Sequence, residues 1–153
     1  MNSFQFREGS SELLPFCNNL WDSFIHNQTR NAGDVAEGIA DYLKSMRDGD
    51  LLAKAAAGKL HIQLVDLGDI NQPIGFCLTS LSPNGIGEIE ALSVLEEYQG
   101  NRLGTKLMQT ALLWLKANNV VEKRLKVVVG NEAIFSFYQK FQFYPVYTGL
   151  YGF

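Results

Sequence analysis

Residues 97–108, EYQGNRLGTKLM, put two glycines and two cations at a junction that few folds can use. Downstream, Leu103, Leu107, Ala111, Trp114 and Leu115 recur at spacings of three and four, which predicts one buried face of a helix running to about Asn118. Upstream, EIEALSVL at 88–95 is short, rich in Ile, Leu and Val, and preceded by the turn-forming SPNGIG, so a strand is expected. The glycines therefore fall in a strand-to-helix turn. In such a turn the first helical amides lack intrahelical acceptors and the macrodipole adds partial positive charge, so an anion is the natural occupant. Gly100 and Gly104 let the backbone approach that anion with no Cβ in the way, and Arg102 and Lys106 add full charges. The turn predicts a phosphate or pyrophosphate site, with a plain loop glycine beside a solvated arginine as the alternative.

Two common phosphate loops do not fit. A Walker A loop needs a longer glycine spacing and a hydroxyl residue after the lysine, whereas Thr105 precedes Lys106 here. The G-x-G-x-x-G spacing of a dinucleotide turn is absent. A third design does fit: Gln-x-x-(Gly/Arg)-x-Gly directly after an E-x-E-x-L-x-V strand resembles the pyrophosphate loop of the GNAT N-acetyltransferases. Gln99, Gly100, Asn101, Arg102, Leu103, Gly104 and Thr105 occupy the matching positions. Arg102 stands where the family most often has glycine. A second motif follows at the right distance. EKRLKVVVG at 122–130 is predicted as a strand and NEAIFSFYQKFQF as an amphipathic helix, with Asn131 able to cap it. The family ends its cofactor-binding core in Asn-Glu-x-Ala-x-x-x-Tyr-x-Lys-x-Gly-Phe, and Asn131, Glu132, Tyr138, Lys140 and Phe143 sit at those intervals. Ile134 replaces the alanine and Gln142 the glycine. If Gln142 takes that glycine's left-handed conformation, it carries about 1 kcal/mol of strain.

The rest of the chain is compatible with this resemblance. At 153 residues, 46% hydrophobic and 19% charged, residues 1–153 are expected to form one domain with one good core. A formal charge of -3 argues against nucleic acid, no apolar run reaches membrane-spanning length, and MNSFQFREGS has no signal-peptide core. A cytoplasmic protein is the expectation. Cys17 and Cys77 are isolated in apolar settings, as reduced thiols would be, and His26 and His61 lie far apart, so no metal site is expected. FQFRE, KLHIQLVDL and PIGFCLTSL are predicted as strands. Residues 10–25, with Pro15 in the first turn, and the face Val35, Ile39, Leu43 and Met46 are predicted as helices. DLLAKAAAG is predicted as a separate short helix capped by Asp50 and ended by Gly58, and the tail YPVYTGLYGF as a last strand. The order βααβββαβαβ implies an α/β class with a mixed central sheet and helices on both faces, as in the single-domain GNAT-like (acyl-CoA N-acyltransferase) fold.

The resemblance implies acetyl-CoA as cofactor, CoA as product, and acetyl transfer to a primary amine by direct attack in a ternary complex. Glu88 matches the family's frequent general base, with Glu90 as second choice. Strict alternation would put both on one face with Leu92 and Val94 unless a bulge shifts the register. The family has such a bulge, and an amide near Leu92, Ser93 or Val94 would then face the thioester. Asn131 and Tyr138 belong to the implied cofactor site, and Tyr138 would protonate the departing thiolate. The acceptor, a small-molecule or peptide amine, would be shaped by Trp21, Tyr42 and Tyr147, with Tyr151 nearby; aromatics on an acidic chain suit a cationic amine. A CoA-binding module without turnover, a donor other than acetyl-CoA, and a homodimer all remain open at this point.

Overall fold

The computed structural model describes residues 3–68 and 72–153. Five strands form one sheet in the order β1-β2-β3-β4-β5: β1 Phe4–Gly9, β2 Lys59–Leu67, β3 Pro73–Leu81, β4 Ile86–Val94 and β5 Glu122–Leu125. The first four pair antiparallel and β5 joins β4 in parallel, so the sheet is mixed as expected. On one face lie α1 Leu14–Thr29, α2 Ala36–Ser45 and α3 Leu51–Ala57, sealed by Trp21, Phe24, Leu43 and Leu51 against Ile62, Leu64, Phe76 and Leu78. The other face carries α4 Leu103–Ala117 and α5 Phe135–Gln139. There the periodic face read from the sequence is the buried one, with Leu103, Leu107, Met108, Ala111 and Leu115 turned inward. Each fully buried Leu or Met among them stabilises by about 2 kcal/mol. Trp114, expected on the same face, packs against this cluster at its margin and stacks on the His61 ring, 4.9 Å between centroids.

Three expectations are corrected. Asp50 is not a helix cap: its φ of -63° and ψ of -38° are helical, and its side chain caps nothing. Residues Met46–Asp50 form a π turn that joins α2 to α3, so the supposed extra helix is the end of one bent rod, which Gly58 does terminate. The strand predicted over 122–130 stops at Leu125, and Val127 and Val129 pair with no strand among the described residues. No strand forms in the tail, where Tyr147 and Leu150 are 95% and 94% exposed. β-propensity alone could not distinguish these segments from strands, because it reports fit to a pleated neighbour rather than the presence of one.

Candidate active site

The site begins at an irregularity in β4. Leu78 of β3 faces Ala91, but the next residue, Thr79, faces Ile89, so Glu90 is the extra residue of a bulge. One inserted residue flips the alternation beyond it. Glu88, facing Ser80, and the bulged Glu90 thus lie on the side of α3, while Leu92, facing Cys77, and Val94 turn toward α4 and join its core. That resolves the mixture of carboxylates and aliphatics that strict alternation would have forced onto one face. Pairing of β4 with β5 ends at Ile89 and Leu125, so from Glu90 to Val94 the strand has β3 on one side and no strand on the other. Leu92, Ser93 and Val94 thus lie on a strand edge without a strand partner among the described residues.

The two glutamates differ in environment. The Glu90 side chain is 1% exposed and receives the Lys54 ammonium at 2.5 Å and the Ser80 hydroxyl at 2.6 Å. Its charge is buried but paired. Glu88 is 16% exposed, with Lys54 at 4.0 Å. Burial first, then the negative charge of Glu90, pushes its carboxyl above the usual range, against the opposing pull of Lys54 and Lys126. The second choice of the sequence reading is therefore an ion-paired carboxylate, and the first is one whose environment favours its protonated form.

Beyond this edge the chain turns into α4 through Gln99, extended at φ -66° and ψ 156°, then Gly100 at φ +87° and Arg102 at φ +59°. The side-chain amides of Gln99 and Asn101 donate to the carbonyls of Val94 and Tyr98 at 3.1 and 2.8 Å and fasten the turn. Lys106 donates to the Arg102 carbonyl at 3.1 Å, which leaves the amides of Leu103, Gly104 and Thr105 in the acceptor-free first turn. A Cβ on Gly104 would meet only the Phe137 ring edge at 3.6 Å, an ordinary contact. Packing does not require this glycine. A bare backbone at a helix N-terminus is instead what a close-lying diphosphate needs. The Lys106 ammonium lies 3.9 Å from the Phe6 ring centroid rather than over the turn.

Tyr138 projects from α5 into the core beneath α4, and desolvation, with Cys77 nearby, pushes its phenol up to about 12. Gln142 does adopt the left-handed conformation, at φ +68°. Phe143 donates to the Tyr138 carbonyl at 3.2 Å and Gln142 to that of Gln139 at 3.0 Å, a Schellman ending in which the family's glycine is replaced at the cost of local strain. Asn131 stands at the N-cap position without capping; its amide donates to the Gln28 carbonyl at 3.0 Å and ties this segment to α1.

The acceptor residues expected from sequence are mostly not gathered here. Trp21 is fully buried, stacked on Phe76 and donating to the Leu43 carbonyl at 3.0 Å, so it is a core residue. Tyr147 is out in the exposed tail. Tyr42 is at the mouth, where its hydroxyl accepts from Lys126 at 3.2 Å, and Tyr151 is near enough to Lys126 to help raise its pKa. Lys54 and Lys126 were missed: the first is the one cation in an alanine-rich helix, and the second lies inside the segment predicted as a strand over 122–130. Among the described residues no group of three or more His, Cys, Asp or Glu is placed to hold a metal, and no helix is long and apolar enough to cross a membrane.

A mixed sheet parted beside a bare helix N-terminus, with a desolvated carboxylate at the opening, defines the GNAT-like acyl-CoA N-acyltransferase class. A model of the acetyltransferase (GNAT) family matches residues 19–143, and the chain belongs to that family. The putative acetyl transferase from Pyrococcus furiosus superposes with a TM-score of 0.72 over 98% of this chain and 99% of that one, at 14% identity. PaiA N-acetyltransferase from Thermoplasma acidophilum, in complex with coenzyme A, does so with a TM-score of 0.68 over 90% and 87%, at 21% identity. These likenesses are of fold. In sequence, mycothiol acetyltransferase of Saccharopolyspora erythraea is 34% identical over 70 residues, 46% of this chain and 23% of that protein. The chain thus matches about a quarter of that relative's length.

Proposed function

We propose that the chain is an acetyl-CoA-dependent N-acetyltransferase that acetylates a primary amine by direct attack in a ternary complex. The carrying observation is the bare, partly left-handed turn from Gln99 to Thr105 opening onto the unpaired edge of β4. Acetyl-CoA supplies the acetyl thioester. Backbone amides from Gln99 to Thr105 hold its diphosphate, Asn131 and Tyr138 flank the cofactor, and Leu92, Ser93 and Val94 line the thioester end. An amide of that trio aimed at the carbonyl oxygen is worth about 3 kcal/mol as charge develops there.

The obstacle to attack is protonation, since an amine of pKa about 10.4 is neutral in only about one molecule in a few thousand at pH 7. Glu88 takes the proton, directly or through water. Its raised pKa makes it a stronger base than a surface carboxylate. Tyr138 is fully protonated at neutral pH, yet with a pKa of about 12 it is a weak acid toward a thiolate. Against a thiol of pKa about 8.5, complete transfer runs uphill by about 5 kcal/mol. Its best role is to donate a hydrogen bond to the departing sulfur.

Calorimetry with coenzyme A should give saturable heat, and acetyl-CoA with a broad amine panel should release free thiol. Tyr138→Phe should lower kcat by roughly 10- to 100-fold, the value of a hydrogen bond to a charged group, while coenzyme A affinity stays within about twofold. Equal losses in both would remove the assigned role. Saturable binding without thiol release from any amine would instead identify a binding module, and longer acyl-CoAs reacting faster would reassign the donor.

A further inference from the structure

The α2–α3 rod brings Lys54 and Tyr42 toward Glu88, and Tyr42 in turn holds Lys126. From α3 comes Lys54, which is already committed to Glu90 at 2.5 Å. From α2 comes Tyr42, whose hydroxyl accepts from Lys126 at 3.2 Å and whose ring centroid lies 5.5 Å from the same ammonium. A cation thus already occupies the hydroxyl and ring of Tyr42, an expected acceptor aromatic. Burial works against the Lys126 charge, but the Tyr42 hydroxyl and the Glu88 carboxylate outweigh it and raise its pKa; Glu88 is the only carboxylate among the groups that do so. Two cations face two carboxylates here: Lys54, 2.5 Å from Glu90 and 4.0 Å from Glu88, and Lys126, two residues beyond Arg124, the β5 partner of Glu88. An ammonium arriving at Glu88 adds a third cation to these two carboxylates. A polycationic acceptor would raise the count to at least four cations against two carboxylates, in a site partly shielded from water. An acceptor bringing its own anion restores the balance.

Resting on the acetyltransferase reading above, we propose that the acceptor is an amine bearing a carboxylate or phosphate on the same small molecule, its anion received by Lys126 beside Tyr42 while its amine meets Glu88. Lys126 is then the specificity-determining residue of the site. The anion stays bound through the reaction and takes no part in bond changes.

The test uses matched pairs: glycine against glycinamide, and glucosamine 6-phosphate against glucosamine. Thiol release from acetyl-CoA is measured on the full chain, with rates expressed per unprotonated amine. The anionic member of at least one pair should show a tenfold or greater advantage in kcat/KM, and which pair does so assigns carboxylate or phosphate. Lys126→Gln should bring that ratio toward one by raising KM for the anionic member alone, with coenzyme A affinity unchanged and folding verified by circular dichroism. If no member turns over although coenzyme A binds, calorimetric binding of the same four amines to the CoA-saturated chain is read in the same way. A neutral member preferred or equal in both pairs, no binding of any, or a ratio unmoved by Lys126→Gln overturns this inference and leaves the acetyltransferase reading standing. Absence of heat with coenzyme A and of thiol release with any amine removes that reading and this inference together.

Discussion

Glu88 and Glu90 are two residues apart in one strand, yet a bulge and one lysine give them opposite properties. Glu90 spends its charge on Lys54 and Ser80, whereas Glu88 is desolvated beside that charge and holds its proton more tightly. The sign of each neighbour's effect can be read separately. Glu90→Gln removes a negative neighbour and frees Lys54, and both changes favour ionised Glu88, so the acidic limb of kcat/KM should move to lower pH. Lys54→Met removes a positive neighbour, so the limb should move to higher pH. The acceptor's own titration is common to all three proteins, and the difference between profiles therefore belongs to the enzyme. Two shifts in one direction, or none, would take the base assignment away from Glu88. Arg102 and Gln142 show a different residue-scale economy. Each holds a left-handed conformation that costs a side-chain-bearing residue about 1 kcal/mol, and each does so where the backbone path, not the side chain, sets the geometry.

At the scale of elements, the edge strand β1 is held to β2 by a buried ion pair as well as by its ladder. Arg7 donates to Asp66 through Nε at 2.7 Å and Nη2 at 3.0 Å, and lies 4.6 Å from the Phe16 ring centroid of α1. Asp66 is fully buried. Arg7→Met should cost about 3 kcal/mol by stranding that carboxylate, or roughly 6 to 12 °C in melting temperature for a domain of this size. Adding Asp66→Leu should recover most of the loss, which thermal melts of the single and double variants would decide. Neither partner was legible in the sequence, because 59 positions separate them and only the β1–β2 register makes them meet. What was legible had local causes: the period of α4, the glycine turn before it, and the spacing from Asn131 to Phe143. The π turn was not, since a helix that changes its winding still looks like two helices with a polar break between them. Its consequence, Lys54 laid against β4, was invisible for the same reason. The short β5 and the unpaired tail misled for the opposite reason, their β-rich composition promising partners that the structure does not provide.

Considered whole, the molecule is a sheet held shut on its two helical faces and opened along part of one strand. The family likeness and the stability of the chain depend on different residues, and Gly104 separates them. A Cβ there would point at the Phe137 ring edge across 3.6 Å, a distance the folded chain accommodates without displacement. Replacing a first-turn glycine by alanine should leave the unliganded melting temperature equal or slightly higher, because alanine is the better helix former. Ligand binding to the native state alone adds RT ln(1 + [L]/Kd), about 2.7 kcal/mol at a hundredfold excess over Kd. For a chain of this length that corresponds to a rise of roughly 5 to 11 °C with coenzyme A. Gly104→Ala holds the diphosphate off the amides and should weaken binding by at least tenfold, taking about 1.4 kcal/mol, and so roughly 3 to 6 °C, from the rise at the same concentration. Thermal melts of both proteins with and without coenzyme A measure all four quantities. An undiminished rise in the variant would mean that the diphosphate rests elsewhere than on the turn before α4. A lowered unliganded melting temperature would mean that the glycine serves the fold after all.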